Sequence, residues 1–246
     1  NKNELTPLDY AAKQGHIEVV KCLIQTPGIQ LNLKDKYEDT LFHLAAYKGH
    51  VEVLKALLAV EIEGIQIHQK DKYGFTPLHV AAESGHVEVV KWLIQIPSFP
   101  VNDKENQNGH TPLHLAARKG HEAAENNHVE TVKALLANKA IQLNPKNKDG
   151  STPLHYATYN GHLNLVKTLL ATKGIELNPK DNYGNTPFHL AAYNNHVETV
   201  KALLDNKAIQ LNPKNHNGQT ALDIARSNNH SACVAIIEQR LKRIDQ

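Results

Sequence analysis

The feature that most constrains this chain is a short motif that returns at nearly even spacing. Its clearest copy, residues 109–117, reads Gly-His-Thr-Pro-Leu-His-Leu-Ala-Ala, and seven versions occur along the 246 residues. The threonines of successive versions lie 34, 36, 35, 41, 34 and 34 residues apart. A period of this length is typical of repeat proteins, in which one supersecondary unit stacks on the next. The spacing therefore predicts a solenoid in which each unit contacts only its neighbours.

The order of residues in the motif predicts the first turn of a helix. Threonine is a good N-cap because its hydroxyl accepts a hydrogen bond from an unpaired backbone N–H of the first turn. Proline follows where its missing N–H costs nothing and its fixed φ suits the helix. The leucine and the Ala-Ala pair are expected to face neighbouring helices. The histidine lies within reach of the cap, and we interpret it as a hydrogen-bonding brace between hydroxyl and backbone.

A second helix is predicted after each motif. In the first repeat, Leu5–Gln14 is expected to form the first helix and Ile17–Ile24 the second, whose apolar residues recur at close to helical spacing. The turn between the helices ends in glycine in most repeats, whereas Asn195 and Asn229 replace it in the last two. Asparagine is the commonest non-glycine residue in the left-handed conformation, so both residues predict a left-handed helix end.

These repeated residues resemble the ankyrin repeat. Five near matches to Thr-Pro-Leu-His and two degenerate ones keep one register over nearly the whole chain. The resemblance implies an all-α solenoid, in which helix-turn-helix units joined by short β-hairpin loops form a curved, right-handed stack. It also implies a single domain of seven repeats, the last one a C-terminal cap. The expected repeats cover about 1–34, 35–70, 71–105, 106–146, 147–180, 181–214 and 215–246.

Three repeats depart from the pattern, and the third does so by one extra residue before Gly109. In the second, Glu38 occupies a loop position that glycine takes in later repeats, so we expect a strained or altered turn there. In the fourth, residues 120–125 are nearly duplicated by residues 126–130, and its threonine lies 41 residues before the next instead of 34. The seven added residues are about two helical turns, so the first helix could lengthen without rotating its faces, or a bulge could project at the turn. We predict that deleting residues 122–128 leaves the melting temperature equal or higher.

The sequence contains no pattern that indicates catalysis, and no cofactor is expected. No glycine-rich phosphate loop is present, no Ser or Cys nucleophile stands beside a recurring base, and acidic residues are spread evenly. Thirteen of the sixteen histidines fall at two repeated positions, which indicates structural bracing rather than a metal site. The segment His121–Glu125 resembles the zinc motif His-Glu-x-x-His, but glutamate at its fifth position leaves the second histidine ligand missing.

Charge and hydropathy favour neither nucleic acid nor a membrane as partner. The net charge is +2 with neutral histidines, and no apolar run approaches membrane-spanning length. One row of lysines lies on the second helices, where most follow a glutamate by three residues, which predicts a solvated and nearly neutral face. A second row lies beside the loops and leaves a basic binding stripe as an alternative. Its members are Lys34, Lys70, Lys104, Lys146, Lys180 and Lys214.

The two cysteines indicate a reducing compartment. Cys22 and Cys233 belong to the first and last predicted repeats, which in a stack of helices places their thiols far apart. A disulfide needs Cα atoms within about 7 Å, so the two are not expected to pair within one chain. A cytoplasmic location follows as the natural interpretation.

The resemblance implies that a protein partner binds the loop tips and the exposed inner face of the first helices. Six of the eight tyrosines fall at these positions, and tyrosine supplies a large contact area at low entropic cost. The predicted partner-binding residues are Tyr37, Tyr47, Lys48, Tyr73, Phe75, Glu83, Arg118, Lys119, Tyr159, Tyr183 and Tyr193. The other two tyrosines, Tyr10 and Tyr156, occupy core-like positions. An alternative is that the tyrosines only complete the packing between repeats.

The function that the sequence favours is a monomeric, non-catalytic scaffold for protein–protein interaction. Two alternatives remain open. The chain could be a targeting or regulatory segment of a larger protein with an enzymatic domain elsewhere, such as a bacterial effector in a host cytosol. The absence of methionine and the Asn- and Lys-rich composition favour this alternative. The second alternative is a designed repeat protein, although the irregular second to fourth repeats argue against it.

Overall fold

The computed structural model describes residues 5–31, 34–60, 66–119 and 125–243, and every regular element within these ranges is a helix. The helices are α1 (Pro7–Gln14), α2 (Ile17–Ile24), α3 (Leu41–Lys48), α4 (Val51–Leu58), α5 (Pro77–Ser84), α6 (Val87–Leu93), α7 (Pro112–Arg118), α8 (Glu125–Ala137), α9 (Pro153–Tyr159), α10 (Leu163–Ala171), α11 (Pro187–Tyr193), α12 (Val197–Asp205), α13 (Ala221–Ser227) and α14 (Ser231–Lys242). Each odd-numbered helix follows a motif threonine. The predicted all-α repeat fold is confirmed, and the loops that we expected to be short β-hairpins are, in these ranges, turns without paired β-strands.

The chain divides into two compact units. The N-terminal unit comprises residues 1–116 and 130–141, and the C-terminal unit comprises residues 117–129 and 142–246. In the first unit α1, α3 and α5 pack side by side in one layer, and α2, α4 and α6 form a second layer against them. The second unit has α9, α11 and α13 in one layer and α10, α12 and α14 in the other. Each unit therefore buries the apolar stripes of short helices between two thin layers.

The motif threonine caps the first helix of its repeat. At α5 the Thr76 N–H donates to His79 Nδ1 at 3.1 Å, and the His79 N–H donates to Thr76 Oγ1 at 3.4 Å. Pro77 follows at the first helical position. At α1 and α13 aspartate replaces the histidine in the same reciprocal arrangement, as between Thr220 and Asp223. These pairs satisfy N–H groups that a helix end leaves without partners.

Small side chains let the helices of each unit approach closely. The Ala-Ala pairs of α3 and α5, which are Ala45, Ala46, Ala81 and Ala82, are fully buried. Leu78, from the motif of α5, is buried beside them. The core is thus a series of small repeated clusters, so each repeat depends on its neighbours for stability.

None of the described helices combines the length and the apolar character needed to cross a membrane.

The turn between the two helices of a repeat requires a residue that adopts the left-handed conformation and leaves little space for a side chain. Gly49 has a φ of 80°, and a Cβ atom there would lie 2.7 Å from His86 Nδ1 of the next repeat. Asn195 and Asn229 adopt φ values of 57° and 59°, which confirms the prediction for these two substitutions. In its loop Glu38 has a φ of 63°, so the expected strain at this non-glycine residue is confirmed as well.

The fourth repeat lengthens its second helix. Helix α7 ends at Arg118, so the first helix is not the one that lengthens, and α8 starts at Glu125 and runs for 13 residues. The second helices α2, α4, α6, α10 and α12 have seven to nine residues. His128, whose counterparts precede the second helix, therefore lies within α8 and is buried. Residues 120–124, where a bulge would fall, lie outside the described residues, and the effect of deleting residues 122–128 stays a prediction.

Candidate partner-binding grooves

A groove in each unit lies between the loops and the first helices. The N-terminal groove has a volume of about 350 Å³ and is lined by Leu5, Lys13, Asp35, Tyr37, Asp39, His43, Leu44, Tyr47, Asp71, Tyr73, Phe75, Val80 and Glu83. The C-terminal groove has a volume of about 280 Å³ and is lined by Asp149, Ser151, His155, Tyr156, Tyr159, Asp181, Tyr183, Asn185 and Leu190. The same repeated positions line both grooves: the loop tip, the residue before the cap threonine, and the fourth and seventh residues after it.

A short polar side chain at the start of each loop positions the loop tip. Asp71 Oδ1 accepts hydrogen bonds from the backbone N–H groups of Tyr73 and Phe75, both at 2.8 Å. Such Asx turns fold the backbone around one side-chain oxygen. The Tyr73 carbonyl accepts a hydrogen bond from the N–H of Asn106 in the next loop at 2.8 Å. The tip tyrosine is therefore held by its own loop and by the following one.

The loop before the fourth motif has one extra residue, and a longer side chain spans it. Glu105 replaces the usual Asp or Asn and accepts hydrogen bonds from the N–H groups of Gln107, Asn108 and His110 at 2.6, 2.7 and 3.0 Å. Burial acts to raise the pKa of Glu105, but these N–H groups outweigh it and hold the pKa below its ordinary value. The sequence signal for this exchange is a change from Asp to Glu where the loop lengthens.

At α3, α5, α9 and α11 the motif histidine joins the cap to the next repeat. His43 Nδ1 accepts a hydrogen bond from the Thr40 N–H at 3.2 Å, which leaves the ring proton on Nε2. The Nε2–H donates to the Phe75 carbonyl at 2.9 Å. His155 and His189 bind the next repeat in the same way. The predicted brace is confirmed, and because Phe75 lines the N-terminal groove, the brace also holds a groove residue in place.

Burial keeps these histidines neutral. It lowers the pKa of His79 to about 4 and holds the pKa values of His43, His155 and His189 below the ordinary value. A protonated ring would place a second N–H opposite the N–H of the cap threonine and break the cap. The repeated motif therefore links the stability of the fold to pH.

The histidine of the inter-helix turn holds the helix residue that faces the groove. His86 Nε2–H donates to the Tyr47 carbonyl at 2.9 Å, and His196 Nε2–H donates to the Tyr159 carbonyl at 2.8 Å. Both carbonyls belong to the seventh residue after a cap threonine.

Within the described ranges, no group of three His, Cys, Asp or Glu side chains is arranged to hold a metal ion. We call the cap threonines, the two sets of histidines and the loop-start Asp, Asn and Glu residues the framework.

Six tyrosines at the loop tips and on the first helices are exposed. Their exposed fractions are 40% for Tyr37, 52% for Tyr47, 37% for Tyr73, 47% for Tyr159, 65% for Tyr183 and 52% for Tyr193. All except Tyr193 line one of the two grooves. Rings that served only to pack the repeats together would be buried. The exposure favours a role at an interface, and that role stays a prediction.

The expected core position of Tyr10 is wrong. Tyr10 is 54% exposed, whereas its counterparts Leu44 and Leu115 are buried. Among the described helices, α1 packs against α2 and α3. Tyr156 is half-buried, and its hydroxyl accepts a hydrogen bond from Asn147 Nδ2 at 3.0 Å, although its ring also lines the C-terminal groove.

The remaining predicted contact residues take different places. Phe75 and Glu83 line the N-terminal groove. Lys48 is exposed, and its ammonium group lies 5.1 Å from the centre of the neighbouring tyrosine ring. Arg118 ends α7 and Lys119 follows it, and neither residue lines the N-terminal or the C-terminal groove. The structure therefore gathers part of the predicted set and leaves the basic residues outside both grooves.

The lysines beside the loops connect neighbouring repeats. Lys146 Nζ donates to the Lys180 carbonyl at 3.3 Å, and Lys180 Nζ donates to the Lys214 carbonyl at 2.8 Å. Lys70 forms an ion pair with Asp103 at 3.1 Å. These contacts give the row a structural role and weaken the alternative of a basic binding stripe. On the second helices, five predicted Glu–Lys pairs are formed at 2.6 to 2.9 Å on an exposed face.

One carboxylate distinguishes the N-terminal groove. Asp39 directly precedes a cap threonine, and burial together with the charges of Asp35 and Asp71 raises its pKa to about 7. Lys13 and Lys72 act in the opposite direction but do not offset these effects. No residue that the structure describes donates a hydrogen bond to the Asp39 carboxylate. Sequence analysis of single repeats misses this residue because two of the charges that act on it, those of Asp71 and Lys72, belong to the next loop.

The constant framework and the variable groove residues define a class of repeat protein that presents different side chains on one support. Models of ankyrin repeats match residues 42–124, 101–181 and 174–244 (three copies) and residues 1–58 (many copies). The chain belongs to the ankyrin-repeat family. It is similar to the crystal structure of the human ASB11 ankyrin repeat domain, with 30% identity, a TM-score of 0.77 and coverage of 94% of this chain and 97% of that chain. No curated protein sequence matches it. Ankyrin repeats generally mediate protein–protein interaction.

Proposed function

We propose that this chain is a non-catalytic scaffold that binds a protein partner in the two grooves and at the loop tips around them. The observation that carries the proposal is the exposure of tyrosines at repeated positions of the loops and first helices. Water solvates exposed aromatic rings poorly, and their hydroxyl groups can form hydrogen bonds across an interface.

The framework supports the proposal because it presents these rings on an ordered backbone. An Asx turn holds the Tyr73 backbone, and a histidine donates to the Tyr47 carbonyl. A binding surface that is ordered in advance loses less conformational freedom when a partner binds. The support therefore leaves more of the contact energy for affinity.

We also propose that the chain acts as a monomer in the cytosol. Cys22 is an exposed free thiol and Cys233 a buried one, and a reducing compartment keeps such thiols unpaired. Light scattering should give the monomer mass of 27.3 kDa. A dimer mass that falls to the monomer mass after substitution of groove tyrosines would instead make the grooves an interface between copies.

Site-specific crosslinking tests the proposed binding. The photoreactive residue p-benzoylphenylalanine replaces Tyr47 in one variant, Tyr159 in a second and Tyr10 in a third, and each variant is irradiated in cytosolic extract. Tyr10 is the matched control because it is as exposed as Tyr47 and lies outside the N-terminal groove. We expect discrete crosslinked products from positions 47 and 159 and none from position 10. The proposal fails if positions 47 and 159 give no product, or only the products that position 10 gives.

A further inference from the structure

We propose that the N-terminal groove holds a partner segment by one positively charged side chain, an arginine or a lysine. The inference rests on the proposed function, because it names the chemistry of the partner at the same groove. Aromatic rings and carboxylates line this one cavity together, and its volume of about 350 Å³ is within the usual range of ligand clefts. A guanidinium or ammonium group is the chemistry that both kinds of lining attract.

The charges of the lining favour a cation. Four lining residues, Asp35, Asp39, Asp71 and Glu83, are acidic, and Lys13 is basic. The Oδ1 atoms of Asp35 and Asp71 already accept hydrogen bonds from their own loops. The Asp39 carboxylate is half-buried and receives none from the described residues. A cationic side chain from a partner would supply a hydrogen-bond donor within the groove and offset the burial of the charge.

The tyrosines around this groove already contact cations within the molecule. Lys72 Nζ lies 4.3 Å from the centre of the Tyr37 ring and 4.9 Å from that of the Tyr73 ring. Lys36 Nζ lies 4.8 Å from the centre of the Tyr37 ring. Neither lysine lines the cavity. Lys48 Nζ lies 5.1 Å from the centre of the Tyr47 ring, which lines the cavity. All three rings are thus placed to attract positive charge by cation–π interaction.

The lysines near the groove do not cancel its negative character. Asp35 and Asp71 affect the pKa of Asp39 more strongly than Lys13 and Lys72 do, and in the opposite direction. A neutral side chain would leave the carboxylates without a counter-charge, and an acidic one would add repulsion. The groove therefore selects by charge as well as by shape.

The C-terminal groove lacks the residue on which this selection depends. Ser151 and Asn185 take the position before the cap threonine there, and both are uncharged. Asp149 and Asp181 line that groove, and Oδ1 of Asp181 accepts from the N–H groups of its own loop. We therefore assign the selection of a basic side chain to Asp39, and Asp149 provides a matched control in the other groove.

Selection of peptides provides the probe for this inference. A phage-displayed library of short random peptides is selected on the whole chain, and enriched sequences are synthesised for fluorescence anisotropy. We expect them to share one arginine or lysine beside apolar residues. Replacing the arginine by citrulline, or acetylating the lysine, removes the charge and should weaken binding about tenfold, as for the loss of a charge-assisted contact.

The Asp39→Asn variant assigns the contact to one residue. It should weaken the basic peptide about tenfold and the neutralised peptide by less than about twofold, since both changes remove the same interaction. Asp149→Asn should leave both affinities unchanged. Equal losses for the two peptides on Asp39→Asn would overturn the inference, as would enriched peptides that contain no basic residue. Thermal unfolding of each variant confirms that it is folded.

The Tyr47→Ala variant separates this inference from the proposed function. If Tyr47→Ala abolishes binding and Asp39→Asn does not, the groove remains the binding site and the proposal of a basic partner side chain is wrong. Peptides that tolerate both substitutions, or a library that yields no enriched peptide, count against both proposals. A second copy of this chain is the competing occupant, and self-association that Asp39→Asn abolishes would replace the partner segment by that copy.

Discussion

The two grooves share one framework and differ in the side chains that line it. In both, an Asp or Asn at the start of the loop positions the tip, and a turn histidine donates to the carbonyl of the groove-facing helix residue. The residues before the cap threonines are Asp39 and Phe75 in the N-terminal groove and Ser151 and Asn185 in the C-terminal groove. The difference separates the positions that stabilise the repeat from the positions that we propose bind a partner. Substitutions in the two sets should therefore have separable effects.

Substitutions of framework residues should cause the largest loss of stability. His79→Ala removes a buried ring that accepts from the Thr76 N–H and donates to the His110 carbonyl. The lost hydrogen bonds and the cavity should lower the free energy of unfolding by about 2–4 kcal/mol. Urea unfolding followed by circular dichroism measures the change. His114→Ala, in the next repeat, should behave alike.

His79→Asn provides the control for that measurement. The asparagine oxygen can still accept from the Thr76 N–H, as the Asp9 carboxylate does from Thr6, but the shorter side chain does not reach the next repeat. We expect a loss of stability between those of the native chain and His79→Ala. A His79→Ala variant as stable as the native chain would remove the histidine from the framework.

Acidification should weaken the framework in both units. The pKa of His79 is about 4 in the folded chain, because of its burial, and 6.5 in the unfolded chain. Between these values the unfolded state binds more protons, so the contribution to stability is complete above 6.5 and is lost as the pH falls toward 4. His79 alone should give a slope of up to about 1.4 kcal/mol per pH unit. Unfolding curves over this range test the slope, which His79→Asn should reduce.

Asp39 should give the N-terminal groove the opposite pH response. Burial and the charges of Asp35 and Asp71 raise its pKa from 3.8 to about 7. Its contribution to stability is therefore complete at low pH and is lost as the pH rises through about 7. Above that pH, Asp39→Asn should stabilise the chain by about 1–2 kcal/mol, after allowance for partial exposure. Asp149→Asn should change stability by less than about 0.5 kcal/mol, and a destabilising Asp39→Asn would reveal a partner for the carboxylate in the folded chain.

Substitution of exposed tyrosines, whether inside or outside the grooves, should have the smallest effect on stability. Tyr159→Ala and Tyr193→Ala should each change the free energy of unfolding by less than about 0.5 kcal/mol, because each ring is about half exposed. Tyr159 lines the C-terminal groove and Tyr193 does not. Both substitutions should weaken partner binding if the surface extends along α11, and a loss confined to Tyr159→Ala would limit it to the groove.

The parts of the fold that depend on neighbouring residues could be predicted from the sequence. The cap of Thr76 by His79 and the left-handed conformation of Asn195 each involve a few consecutive residues, so their residue types suffice. The positions of the tyrosines within the repeat also predict that their side chains are exposed at the loop tips and on the first helices. The exposure of Tyr10 could not be predicted in this way, since it depends on which of the described helices pack against α1.

Features that join different repeats could not be predicted from one repeat. The raised pKa of Asp39 results from its burial and from Asp35 in its own loop, and also from Asp71 in the next loop. The structural use of Lys180 depends on the position of the Lys214 carbonyl. Distances across repeats decide these features, and the motif alone does not contain them.

The affinity of a selected peptide for Tyr47→Ala and Tyr10→Ala tests most directly whether a groove position contributes to binding without contributing to stability. The two rings are 52% and 54% exposed, and only Tyr47 lines a groove. We predict that Tyr47→Ala weakens binding about thirtyfold or more, equivalent to about 2 kcal/mol, and that Tyr10→Ala leaves it unchanged. The free energy of unfolding should change by less than about 0.5 kcal/mol in both variants. Early melting of Tyr47→Ala with undiminished binding would show that this tyrosine packs the repeats, and would contradict the separation of binding from stability.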